Sequence, residues 1–307
     1  MRYVTFSPRS KPEAARLGVW ADDGVIEIGG AGGLPSPMLA LIEAGPLAWE
    51  AARAAAAAGG VRRWAPADVR LHAPVARPPS LRDFYAFEAH VKAAFAIRRR
   101  AVPEEWYAFP AFYFGNAASV RGPDDAVAAP PGSEALDYEL EVACVIGTGG
   151  RDIPASEAPR HIFGYAVLND WSARDIQRTE MRVGLGPAKG KDFATSLGPW
   201  LVTPDELADR AEGRPGVYRL TMSARVNGVE RSRGDLADLY YSFGEMIARA
   251  SAGVDLEPGA VLGSGTVGSG CLLELTEGKG PWLQPGDVIE LEVERLGVLR
   301  NTVARGE

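Results

Sequence analysis

The apolar positions of residues 1–30 fall in short runs broken by turns. Leu17-Gly18-Val19-Trp20 and Val25-Ile26-Glu27-Ile28 flank Asp22-Asp23-Gly24, the chemistry of a β-hairpin. Helical punctuation follows. Ser36-Pro37 reads as an N-cap with proline at the first helical position, opening a helix over 38–43 that stops at Gly45-Pro46. A second, alanine-rich helix runs to Gly59-Gly60, and a strand over 69–71 leads into a proline-rich link, Pro74 to Pro79. A domain boundary placed there separates a small N-terminal domain, 1–75, from a larger one, 76–307. In the larger part the pattern predicts strands over 138–146, 164–169, 200–203, 218–226, 272–276 and 288–293. It predicts helices over 82–99, 173–179 and 239–250, the last closing on Ser251-Ala252-Gly253. Many strands with scattered helices and no regular βαβ alternation predict a β-rich α+β fold.

The 307 residues amount to about two domain-sized units at roughly 150 each. With 46% apolar and 24% charged residues the composition is that of a globular protein, neither disordered nor fibrous. A net charge of −7 argues against nucleic-acid binding, which needs cations to displace the counterions of phosphate. No segment approaches the ~18 apolar residues of a membrane span, and the N-terminus lacks a signal-peptide core. The two cysteines, Cys144 and Cys271, are far apart and form no metal-type spacing. One disulfide is possible on count alone, but a reduced, cytoplasmic protein is the expectation.

Several motifs fail on inspection. Gly263-Ser264-Gly265-Thr266-Val267-Gly268 matches GxGxxG, but a dinucleotide site needs a helix directly after it, and Cys271-Leu272-Leu273-Glu274-Leu275 reads as a strand. Gly186 to Lys191 is one residue short of a phosphate loop and carries Asp192 where Ser or Thr would bind magnesium. No GxSxG elbow exists, and three histidines without HExxH leave little for a zinc site.

The informative residues are carboxylates. In Asp137-Tyr138-Glu139-Leu140-Glu141-Val142 the strand period of two puts Glu139 and Glu141 on one face, Leu140 and Val142 on the other. The run then turns apolar on both faces, as a buried strand does. Two carboxylates at its mouth repel and lose hydration, at several kcal/mol per ion. Protonation, an Arg or Lys partner, or a cation would each compensate, and a solvated edge strand would avoid the problem. A second strand ends in Asn169-Asp170, just before a helix carrying Arg174 and Gln177. Carboxylates without a Cys or His cluster suit a hard ion: Mg²⁺ or Mn²⁺ with waters, or Ca²⁺.

Glu139-Leu140-Glu141, the block Asn169-Asp170-Trp171-Ser172-Ala173-Arg174-Asp175-Ile176-Gln177, Gly190-Lys191-Asp192-Phe193-Ala194-Thr195-Ser196 and Gly263-Ser264-Gly265-Thr266-Val267 occur in the order of the fumarylacetoacetate hydrolase family, which the chain resembles over residues 75–307. The NDWSARD block is the specific part. The resemblance implies a mixed β-roll or sandwich catalytic domain, a divalent-metal site and a homodimer. It implies Glu139, Glu141 and Asp170 as metal ligands, with Asp83 as a fourth. Read alone, Asp83 is a helix N-cap or a surface charge. His90 matches the family's water-activating histidine, and Glu274 the carboxylate that orients it. A lone histidine on an amphipathic helix can also be structural. A second family layout puts the glutamate three residues after the histidine, where this chain has Ala93.

Lys191 matches the lysine that neutralises charge beside the metal, and Thr195 a further residue nearby. Tyr85, Arg99, Tyr113, Arg174, Gln177 and Thr266 match substrate-side positions. Met181 stands where the animal enzyme has tyrosine, which argues against fumarylacetoacetate itself as substrate. The resemblance thus implies hydrolysis of a carbon–carbon bond in a β-diketo or acylpyruvate-type acid, by a water that His90 deprotonates, with a metal-bound enolate leaving. A 2-oxo acid decarboxylase, hydratase, dehydratase or isomerase would use the same platform. A pure binding protein would have no need of the base.

Overall fold

A computed structural model describes residues 1–58 and 60–306. Gly59, where the alanine-rich helix was expected to stop, lies outside the described residues. The fold is α+β and strand-rich. A twelve-stranded sheet runs through Arg63–Trp64, Gly24–Glu27, Arg16–Ala21, Arg2–Pro8, Thr195–Val202, Ile162–Asp170, Leu140–Ile146, Val261–Gly263, Leu81–Phe84 and Phe112–Gly115, with two further strands off this path. Neighbours on this path are antiparallel, except that Val261–Gly263 lies parallel to Leu81–Phe84. A five-stranded sheet, from Val229–Asp235 to Ala126–Ala128, packs over it. The N-terminal strand Arg2–Pro8 pairs with Thr195–Val202, so residues on both sides of the proline-rich link share one sheet.

The central strand Leu140–Ile146 is buried along its whole length because both of its faces are covered. Leu140, Val142, Cys144 and Ile146 enter the core between the two sheets. Ala143 and Val145 enter a second core with Ala166, Leu168 and Leu81, closed by Leu41 and Ile42 of the helix Met38–Glu43. Period two then dictates the next position on that second face of each strand: Glu141, Asp170 and Asp83. Apolar packing ends and carboxylates begin on the same side of three strands of this sheet, two of them adjacent and the third one strand further on.

The predicted hairpin forms, with Ala21 opposite Gly24. The predicted strand cores at 138–146, 164–169, 218–226 and 288–293 are found, with shifted ends. Four expectations fail in whole or in part. Residues 82–99 are not one helix: Leu81–Phe84 is a strand and the helix is Glu88–Ile97. Pairing on both sides overrides the local pattern there. Residues 272–276 are not a strand but a single helical turn, Leu272–Leu275, a short apolar run of the kind periodicity cannot assign. The predicted 239–250 helix starts at Phe243, where Ser242 and Glu245 form a capping box, and ends at Ser251. Ser36 is not the cap of its helix: Pro37 occupies that position, without a side-chain cap bond. Both cysteines are free and buried. Among the described residues no helix is long and apolar enough to cross a membrane.

Leu140 lies between Glu139 and Glu141 but points into the inter-sheet core. Leu140→Ala should therefore cost about 2–5 kcal/mol of stability. A urea titration should show a lower midpoint at unchanged slope.

Candidate functional site

Strand ends and short turns deliver the site. Asp83 comes from Leu81–Phe84, Glu141 from Leu140–Ile146, and Asp170 is the last residue of Ile162–Asp170. Glu139 sits just before the central strand, its backbone N–H held by the side chain of Asn169. All four carboxylates are buried, and one oxygen from each lies within 4.8 Å of the others. Two glycines of the GxGxxG stretch make the room. A Cβ on Gly263 would lie 2.3 Å from Asp83 Oδ1, and one on Gly265 would lie 2.4 Å from the Phe84 carbonyl. Gly265 has φ +77°, and its N–H donates to Asp83 Oδ1. The motif is a floor for carboxylates, not a cradle for phosphate.

Two cations answer the charge. Lys191 Nζ donates to Glu139 Oε2 and Asp170 Oδ2, both at 2.5 Å. Arg174 donates to Glu139 Oε1 at 2.8 Å, to Asp137, and to Gln177 Oε1. Tyr113 OH donates to Asp170 Oδ2 at 2.6 Å, and Thr266 Oγ1 to Glu141 Oε1. Burial opposes the charged form of Glu139, but Lys191 and Arg174 outweigh it and hold its carboxyl below the ordinary range. Burial also opposes the Lys191 ammonium, and Asp170 and Glu139 more than restore it.

Asp83 and Glu141 have no such partner. Burial, reinforced by Asp170 for Asp83 and by Asp83 for Glu141, pushes both well above the carboxylate range. Glu141 Oε2 and Asp170 Oδ1 are buried without a hydrogen-bond partner. A cluster of carboxylate oxygens with two of them orphaned fits a hard divalent cation.

Beside the cluster, His90 Nδ1 meets Glu274 Oε1 at 2.5 Å. His90 lies on the helix Glu88–Ile97 and Glu274 on the turn Leu272–Leu275. Glu274 Oε2 accepts from Ser269 N–H, and the Cys271 thiol faces Oε1 at 3.7 Å. Tyr85 packs edge-on against the imidazole, 5.3 Å between ring centroids. His90 of the dyad and three of the four carboxylates, Asp83, Glu139 and Glu141, open into one cavity of about 220 Å³. Tyr85, His90, Tyr113, Glu139, Glu141, Asp83, Arg174, Gln177, Lys191 and Thr266 all border it. Asp170 sits just behind, bonded to Lys191 and Tyr113.

Arg99 is not brought in. It is exposed, with φ 55°, and does not border the cavity; Arg98 does. Helical phase carried that signal, since His90, Ala94 and Arg98 recur every four residues and Ala94 also lines the cavity. Thr195 is buried opposite Asp170 in the sheet but is not in the cavity wall. Asp83 is in a strand, not at a helix cap. Sequence reasoning also missed Asp137, although Asp137, Glu139 and Glu141 continue one period-two series, and the apolar wall of Phe112, Leu273 and Pro187.

The Fumarylacetoacetate (FAA) hydrolase C-terminal family matches residues 80–304. A fumarylacetoacetase of Arabidopsis thaliana is 33% identical over 242 residues, 63% of this chain and 57% of its own. The chain thus spans somewhat over half the length of that relative. A human oxaloacetate tautomerase is 35% identical over 275 residues, covering 88% of this chain and 80% of its own. Among solved structures, maleylpyruvate hydrolase from Sphingobium sp. SYK-6, in complex with manganese(II) and pyruvate, superposes with a TM-score of 0.73 at 27% identity over the full length of both chains. On the match of residues 80–304 and the likeness to the human relative, the chain belongs to the fumarylacetoacetate hydrolase family.

Proposed function

We propose that the protein hydrolyses a carbon–carbon bond in a β-diketo or acylpyruvate-type acid, using Mg²⁺ or Mn²⁺. The observation that carries this reading is His90, bonded to Glu274, opening into the same cavity as three of the four clustered carboxylates. Glu139, Glu141, Asp170 and Asp83 would hold the ion, which when bound acts as a Lewis acid on the oxygens of a 2-oxo acid. The likeness to a maleylpyruvate hydrolase holding manganese and pyruvate supports both the ion and the substrate class.

The chain's own groups have assignable tasks. With Nδ1 donating to Glu274, the free lone pair of His90 is on Nε2, which takes a proton from water. The resulting hydroxide adds to the distal carbonyl. Gln177 has its Oε1 turned to Arg174, which leaves its amide N–H groups for a developing oxyanion. Lys191, with two protons on Glu139 and Asp170, has a third for a substrate oxygen. The bond to the carbon between the two carbonyls then breaks, and that carbon takes back the proton from Nε2. One water is consumed and two acids are released.

A second reading is tautomerisation or isomerisation of a 2-oxo acid. The likeness to a human oxaloacetate tautomerase over 88% of this chain favours it. It needs proton transfer to and from carbon but no attacking water. The cytoplasmic homodimer, and a small N-terminal domain 1–75 set against a catalytic domain 76–307, belong to the same proposal.

Three outcomes test it. His90→Ala should lower hydrolytic turnover of acylpyruvates roughly 10²–10⁴-fold. Calorimetric Mn²⁺ affinity should stay nearly unchanged, and equal loss of both would remove His90 from the role of base. Arg98→Ala should raise KM roughly tenfold for substrates with a distal carboxylate, the worth of one charge-assisted contact, and leave monocarboxylic acylpyruvates unaffected.

The third outcome concerns pH. Asp83 and Glu141 have folded-state pKa values raised above their unfolded ones. The folded protein therefore holds more protons than the unfolded chain once pH exceeds the ordinary carboxylate range, and stability falls as pH rises. Melting curves in chelator should drop from acid toward neutral pH. Added Mn²⁺ should flatten the decline, since binding displaces those protons.

A further inference from the structure

One buried carboxylate is used by neither the cation cluster nor the dyad, yet it is bonded toward both. Asp137 ends the two-residue strand Leu136–Asp137, paired to Ser172–Ala173, and is fully buried. Its Oδ1 accepts from Leu272 N–H at 2.8 Å. Its Oδ2 accepts from Leu273 N–H at 3.0 Å and from Arg174 Nε at 2.8 Å.

Those two amides open the single turn Leu272–Leu275. The residue at the cap position, Cys271, supplies no side-chain acceptor for them. Asp137, distant in sequence, stands in for the cap. A four-residue turn has too few internal hydrogen bonds to fix its own direction, so an outside anchor decides it. The third residue of that turn is Glu274. Arg174, bonded to Oδ2 of the same carboxylate, spends its remaining arms on Glu139 and Gln177.

We propose that Asp137 is a positioning residue that fixes the Glu274 turn and the Arg174 guanidinium against one carboxylate, so that the aim of His90 and the placement of Glu139 are set together. The kinetic part rests on the reading of His90 as the base. Every hydrogen-bonding partner of Asp137 is a donor. An asparagine there keeps one acceptor oxygen and sets an NH₂ against at least one donor, with almost no change in volume.

The metal-free protein supplies a readout that does not depend on the substrate. An imidazole N–H held in a short bond to a carboxylate resonates far downfield in proton NMR. With three histidines in the chain, its loss in His90→Gln assigns it. Asp137→Asn should shift that resonance. Arg174→Lys should shift it too, although Arg174 bonds to neither member of the dyad. A resonance unmoved in both folded variants would overturn the proposal. If Asp137→Asn does not fold, Arg174→Lys decides. In turnover, Asp137→Asn should lower kcat roughly 10–100-fold with KM little changed. In a Glu274→Gln background the same substitution should cost clearly less than in the wild type, because the part of its effect that runs through the turn is already lost. Fully multiplicative losses would show that Asp137 does not work through Glu274. Failure of the hydrolase reading would leave the NMR result standing.

Discussion

Four buried carboxylates share a pocket with cations that neutralise only part of their charge, and much of the surrounding structure answers that imbalance. Lys191 is divided between Glu139 and Asp170, and Arg174 between Glu139 and Asp137. Asp83 and Glu141 are left to burial and mutual repulsion. Removing one side of a buried ion pair costs several kcal/mol, because the remaining charge stays desolvated. The arrangement is therefore rigid where it is paired and unrelieved where it is not. The unrelieved part faces an opening cleared by Gly263 and Gly265, too tight for a side chain and lined by oxygen. A divalent ion placed among these oxygens would relieve that repulsion.

How much of this could be read from the chain depends on the range of the forces involved. The acidic cluster was legible in part because strand period two is a local rule: alternation placed Glu139 and Glu141 on one face, and the end of the next strand placed Asp170. The block Asn169 to Gln177 then tied them to a known family. Asp83 was legible only through that resemblance. Its strand exists because Val261–Gly263 and Phe112–Gly115 flank it, and pairing between residues far apart in sequence leaves little local trace. The Glu274 turn was misread for the same reason, since four apolar-flanked residues carry no decisive period. Arg98 is the opposite case. The four-residue spacing from His90 through Ala94 was available, and the basic run Arg98-Arg99-Arg100 obscured it.

Two clusters with different chemical appetites meet in the cavity. The carboxylates offer only hard oxygen. The group of His90, Cys271 and Glu274 offers imidazole, thiol and one carboxylate, already engaged with one another. This division matters for proton handling. The oxygen cluster has pKa values pushed apart by burial and by its two cations, so an ion bound there would displace protons. The dyad draws on a separate carboxylate, Glu274, which is not one of the four in the oxygen cluster. The carboxylates come from the strands of the sheet or the residue just before one, and the dyad from a helix and a turn outside it.

The shape of the cavity narrows the substrate. Arg98 lies eight residues beyond His90, about 12 Å along the helix axis, and its long side chain can reach back over the mouth. The wall between them is apolar, built from Ala94, Phe112, Met181, Pro187 and Leu273. Pyruvate-like oxygens at the carboxylate cluster and a second carboxylate at Arg98 would be joined across this wall by a carbon chain. A bare two-carbon acid would leave the apolar surface wet and the arginine unused. Hydrolysis and tautomerisation make different demands here. Hydrolysis must hold the acyl group beyond the scissile bond so that the attacked carbonyl faces Nε2 of His90, whereas tautomerisation concerns only the carbons next to the keto group. A cation at the far end would serve any 2-oxo acid with a second carboxylate, oxaloacetate included, whereas the added requirement of cleavage is a base aimed at the attacked carbonyl, the place His90 would fill.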